Sequence, residues 1–153
     1  MLGTEHSGTR IRLLTQRLDR PQRVTLALAA FVAAAAHVPV IAPHLDEAPY
    51  MGVLFVVLTV GCLAIGVAAL VRDTAAVYAV AVLTCGLAVV GYAATRLVPF
   101  PMLADDVGNW LEPLGVVSVV SELVVVAAGV AALRNLSQRD RLRPRNGSAQ
   151  RIS

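Results

Sequence analysis

Four apolar runs divide this chain, and each is long enough to cross a lipid bilayer. They cover about residues 24–43, 50–71, 74–98 and 113–133. A span needs about 20 apolar residues, because a helix rises about 1.5 Å per residue and the hydrocarbon layer is about 30 Å thick. Inside that layer an unpaired backbone N–H or C=O is too costly, so lipid-exposed segments must be helical. Hydrophobic residues make up 57% of the 153 residues and charged residues only 15%, against about 25% charge in a typical soluble domain. A soluble globule is therefore excluded. The expected fold is all-α: a polytopic membrane protein with an up-down-up-down four-helix transmembrane bundle in residues 24–133.

The charges orient the spans. All 13 basic residues are arginine. Arg10, Arg12, Arg17, Arg20 and Arg23 precede the first run, Arg72 lies between the second and third, and Arg134, Arg139, Arg141, Arg143, Arg145 and Arg151 follow the fourth. These twelve share one side, and Arg96 alone falls on the other. Asp46, Glu47, Asp105, Asp106 and Glu112 make that second side acidic. Arginine-rich flanks stay in the cytoplasm, so both termini are expected there, in a multi-pass protein of the cell membrane. Ala34 and Ala36 resemble a leader cleavage pattern. However, 23 residues precede the first run, which is long for a leader, and that helix is expected to be retained.

Residues 1–9 are polar and are expected to be disordered. Residues 10–23 place Ile11, Leu14 and Leu18 on one helical face with arginines around them, which predicts an amphipathic segment on the inner leaflet. Residues 134–153 are basic, lack apolar periodicity and predict a flexible tail. The tail has no aromatic interleaving, zinc spacing or recognition helix, so nucleic acid is not an expected partner. On the outer side, prolines bracket two expected loops, Pro43–Pro49 and Pro99–Glu112. In the second, Asp105 or Asp106 could cap a short surface helix holding Trp110 at the interface. Pro113 suits the first turn of the last helix.

Polar residues inside the runs are the candidate site, since an ionisable group in the membrane is costly and needs a reason. His37 lies about six residues below the outer boundary and Glu122 about nine, depths of roughly 9 and 14 Å. Helical periodicity puts Ala30, Ala33, His37, Ile41 and His44 on one stripe. Gly115, Ser118, Glu122 and Gly129 form a second, and Ala81, Cys85, Ala88, Tyr92 and Arg96 a third. Small residues let helices approach closely, and the larger polar ones would then share an interior of His37, His44, Tyr92, Arg96, Ser118 and Glu122, with Tyr50 and Glu47 near its mouth. Gly61 and Gly66 are expected packing positions of the second helix, and Cys62 and Cys85 are expected to pack.

Several chemistries suit that cluster. His37, His44, Glu47 and Glu122 are competent metal ligands, although H-x6-H-x2-E is not a known signature. Haem ligation is disfavoured because both buried histidines sit on one helix. A proton path would need ionisable groups in the inner half, which is nearly free of them. Arg96 could meet the anionic group of a small molecule or lipid. The remaining reading is that Glu122 hydrogen-bonds His37, Ser118, Tyr92 or Arg96 and fixes the packing. Nucleophile, P-loop, dinucleotide and HExxH motifs are all absent.

The stretches HLDEAPYMGVLF (His44–Phe55) and DDVGNWLEPLGVVS (Asp105–Ser118) resemble a group of small four-helix membrane proteins from actinobacteria and related bacteria. The resemblance spans roughly residues 24–133. That group has no established activity, so the likeness implies a fold and a location rather than a reaction. It would carry over His37, His44, Glu47, Tyr50, Arg96, Asp106, Asn109, Trp110, Glu112 and Glu122. The sequence thus reads as a non-enzymatic accessory or structural membrane subunit, with the bilayer and a second copy or another membrane protein as partners. The alternatives are a metal-binding or redox-associated protein using the His/Glu cluster, and a transporter or binding module for an ion or small molecule.

Overall fold

A computed structural model describes residues 20–72 and 74–142. The expectations for residues 1–9, for most of the amphipathic segment and for the end of the tail lie outside those residues. The described chain forms four long helices: α1 (Arg20–Glu47), α2 (Pro49–Val71), α3 (Ala75–Leu97) and α4 (Pro113–Leu142). One 3-10 turn, Ala104–Asp106, sits between α3 and α4. Within the helices, Pro21–Glu47, Pro49–Val71, Ala75–Leu97 and Pro113–Gln138 have mean hydropathies of 2.2, 2.8, 2.0 and 2.4 and are long enough to cross a membrane.

The expected loop Pro43–Pro49 is not a loop. α1 continues through Pro39 and Pro43 to Glu47. Proline removes one helical N–H but its fixed φ suits a helix, and in an apolar medium unwinding would expose more unpaired groups. His44 Nδ1 bonds the Val40 carbonyl at 2.7 Å, and Ala48 N–H closes the last turn on the His44 carbonyl at 2.9 Å. Only Ala48 separates α1 from α2, and Pro49 opens α2 at the position where a missing N–H costs least. The corner requires glycine at position 52, because a Cβ there would lie 2.6 Å from the backbone nitrogen of Leu45.

Two further boundaries differ from expectation. α4 runs past Leu133 to Leu142, so the first part of the expected flexible tail is helical. Asp105 and Asp106 do not cap a surface helix; they lie within the 3-10 turn, and Trp110 follows in a turn. The cap of α4 comes instead from Glu112. Its carboxylate accepts the Leu114 N–H at 3.1 Å and the Gly115 N–H, which satisfies two free donors and complements the positive end of the helix dipole.

α1 is the hub. It packs along α2 on one side and α4 on the other, α4 packs along α3, and α2 meets α3 over a shorter seam. Its packing face is small: Ala27, Ala30, Ala33 and Ala34 are buried beside Leu26, so neighbouring backbones approach closely. Cys62, Ile65 and Ala69 of α2, Tyr78, Ala81 and Cys85 of α3, and Val125 and Ala132 of α4 complete the core. The outward faces are as apolar as the core. Val57, Val60, Leu83, Leu87 and Val90 are each at least 60% exposed, an arrangement stable only against lipid or another apolar surface. Thr59, Thr95, Ser121 and Ser137 bond carbonyls three or four residues back in their own helices, so their hydroxyls do not face lipid unpaired.

Candidate functional site

One polar cluster lies inside the bundle. His37 of α1 and Ser118 and Glu122 of α4 are 4%, 6% and 1% exposed. His37 Nε2 and Ser118 Oγ are hydrogen-bonded at 2.9 Å. Ser118 Oγ lies 3.4 Å from Glu122 Oε1, which is 3.5 Å from His37 Nε2. The helical i, i+4 spacing stacks Ser118 and Glu122 on one face, and the alanine stripe of α1 lets His37 reach both. His37 Nδ1 is buried without a well-formed hydrogen bond, while the His37 ring tilts against Phe55 of α2 at a centroid distance of 5.5 Å.

That arrangement is not a nucleophilic triad. Such a triad puts the acid on one imidazole nitrogen and the serine on the other. Here Glu122 and Ser118 both address Nε2. The cluster can hold a shared proton between a histidine and a carboxylate and tie α1 to α4. Glu122 does not reach Nδ1, the nitrogen from which an acid would orient His37 towards Ser118.

The other expected members go elsewhere. His44 packs edge-on against Phe55 at 4.8 Å, about two turns beyond His37 on the same helix. Glu47 is exposed at the end of α1. Among the described residues, no three His, Cys, Asp or Glu side chains gather where they could hold a metal ion. His37, His44, Glu47 and Glu122 thus do not form one ligand set, because His44 is turned onto Val40 and Phe55 while Glu47 faces outward.

Arg96 and Tyr92 leave the expected interior path as well. Arg96 Nη1 pairs with Asp106 Oδ1 at 2.7 Å and donates to the Asp106 carbonyl at 3.3 Å. Its guanidinium lies 4.7 Å from the Tyr92 ring centroid, a cation–π contact. The Arg96 carbonyl in turn accepts the Gly108 N–H at 3.0 Å. Tyr92 donates its hydroxyl to the Trp110 carbonyl at 2.9 Å, and the two rings meet edge-on at 6.3 Å. Tyr50 of α2 donates to the Pro101 carbonyl at 2.7 Å. Arg96, Tyr92 and Tyr50 therefore strap the α3–α4 connection across the acidic end of the bundle. Asp105 and Asn109 stay exposed within it, and Glu112 is spent on the cap of α4.

Sequence reasoning missed three partners. Phe55 carried no signal, being one apolar residue among many. Asp106 as the partner of Arg96 could have been suggested by charge, since they flank one short connection. Cys62 and Cys85 were expected only to pack, and they lie beside each other across the α2–α3 seam. Both are fully buried and free.

No protein-family model, curated protein or solved structure matches this chain. The resemblance to a group of actinobacterial proteins therefore finds no support here. What stands is a small all-α membrane protein with four apolar helices long enough to span a bilayer.

Proposed function

We propose that this chain is an accessory or structural subunit of the cell membrane, with no catalysis of its own. One observation carries the reading: the Glu122 carboxylate is 1% exposed and is spent on His37 and Ser118. A transport or catalytic carboxylate has to meet its substrate, whereas this one joins two helices. The alternation of short connections favours an up-down-up-down order. The twelve arginines at one end favour termini in the cytoplasm. The strapped connection at the acidic end then faces outward, as a rigid surface suited to recognition by another membrane protein or a second copy.

The test is purification of the full chain in mild detergent, followed by light scattering, elemental analysis and identification of co-purifying proteins. The expected result is a defined assembly larger than the 16.1 kDa chain, without stoichiometric metal. A monomer holding one copper, iron, zinc or manganese ion that disappears with His37→Ala would overturn the reading in favour of a metal protein. A monomer that moves a solute across vesicles would overturn it in favour of transport.

A further inference from the structure

The basic end of the bundle holds a feature outside the buried cluster. A shallow groove of about 390 Å³ runs along one face of α4, lined by Val130, Leu133, Arg134, Ser137 and Gln138. These positions repeat at three and four residues, so they form a single helical stripe. The stripe is graded. Val130 and Leu133 lie towards the membrane interior, and Arg134, Ser137 and Gln138 follow as α4 leaves the apolar layer. The apolar run of the sequence ends at Leu133, so the polar residues Arg134, Ser137 and Gln138 fall at headgroup depth. Among the described residues, no carboxylate pairs with Arg134.

Arg134 and the Gln138 amide, both exposed and bordered by Val130 and Leu133, match an amphiphile with a negative head and an acyl chain. A free inorganic anion would use the arginine but leave Val130 and Leu133 unused.

We propose that this groove binds one anionic phospholipid. Its phosphate would lie against Arg134 and Gln138, and its acyl chain would lie along Leu133 and Val130. Ser137 spends its hydroxyl on the Leu133 carbonyl at 3.1 Å, so Arg134 and the Gln138 amide are the donors to the phosphate.

The test is native mass spectrometry of the full chain after equilibration with mixed micelles of phosphatidylglycerol and phosphatidylcholine in equal amounts. The expected result is one retained phosphatidylglycerol. Arg134→Ala should weaken retention about fivefold, equivalent to the roughly 1 kcal/mol of one arginine near an anionic surface. Arg134→Lys should keep most of it, and Arg72→Ala, an exposed arginine of the same end outside the groove, should leave it unchanged. Equal losses from Arg72→Ala and Arg134→Ala would overturn the proposal, because binding would then follow net charge alone. Equal retention of phosphatidylcholine would overturn it too. Displacement by millimolar inorganic phosphate would assign the site to a free anion instead.

Discussion

His37 is where single-residue energetics matter most. Removing it leaves the Glu122 carboxylate buried with Ser118 as its remaining partner. Breaking one member of a buried polar pair costs about 3 kcal/mol, whereas hydrogen bonds between membrane helices average about 0.6 kcal/mol. His37→Ala is expected to destabilise the bundle by about 3 kcal/mol and Ser118→Ala by under about 1 kcal/mol, read by unfolding in mixed detergent. The double variant His37→Ala with Glu122→Ala should cost less than the two single changes combined. Full additivity would show that the residues are not coupled. Gly66 gives a second test at this scale. A Cβ there would lie 2.6 Å from the Phe31 ring, so Gly66→Ala is expected to cost about 1–3 kcal/mol through overpacking. Adding Phe31→Ala should recover part of that loss, and no recovery would place the strain elsewhere.

The connection between α3 and α4 behaves as an element in its own right. It contains Gly108 at φ 81°, which glycine adopts freely, and Met102 at φ 63°, which needs support from its surroundings. Arg96, Tyr92 and Tyr50 supply it. Arg96→Ala should release residues 98–112 at a cost of about 1.5–3 kcal/mol, the usual range for charged hydrogen bonds. Asp106→Asn, which leaves the main-chain carbonyl in place, should cost less. Trp110 is the chain's only tryptophan, so its emission reports on this loop directly. A red shift and faster amide exchange over residues 98–112 are expected in Arg96→Ala, and an unchanged spectrum would mean that the strap is dispensable. The element boundaries themselves were legible where turn residues stood alone, as at Pro113. They were misread at Pro43, where a turn signal competes with the demand of lipid for a continuous helix. Proline weighs against a helix in water, but inside the membrane the alternative is worse.

The whole molecule is a hub-and-neighbour bundle in which, among the neighbouring helix pairs, α2 and α3 share the shortest seam. The fully buried thiols of Cys62 and Cys85 mark that seam. Neither is expected to react with a membrane-permeant maleimide in the folded protein, and both should react once detergent unfolds it. Labelling of one in the native state would mean that the seam opens. The orientation can be read in a background of Cys62→Ser and Cys85→Ser. Glu47→Cys should label in intact cells with an impermeant maleimide, while Ser137→Cys should label only after lysis. The opposite pattern would invert the proposed topology.

Much of this architecture follows from local chemistry alone. Lipid solvation forces helices wherever a run of about 20 apolar residues occurs, and twelve of the thirteen arginines flank the runs on one side whatever the packing. The meeting of His37 and Glu122 was also within reach, because depth and helical face are both countable along one chain. Which polar residues became partners was decided by packing between helices. Periodicity places Tyr92 and Arg96 on the stripe of Ala81 and Cys85, but it cannot say that the top of that stripe rises above the interior and meets a folded connection. Arg96 therefore holds Asp106 rather than Glu122, and His44 holds Phe55 rather than a metal. A helix face reports the direction in which a side chain points. What it meets depends on a neighbour far away in the chain, set by the close approach that small residues allow at each crossing.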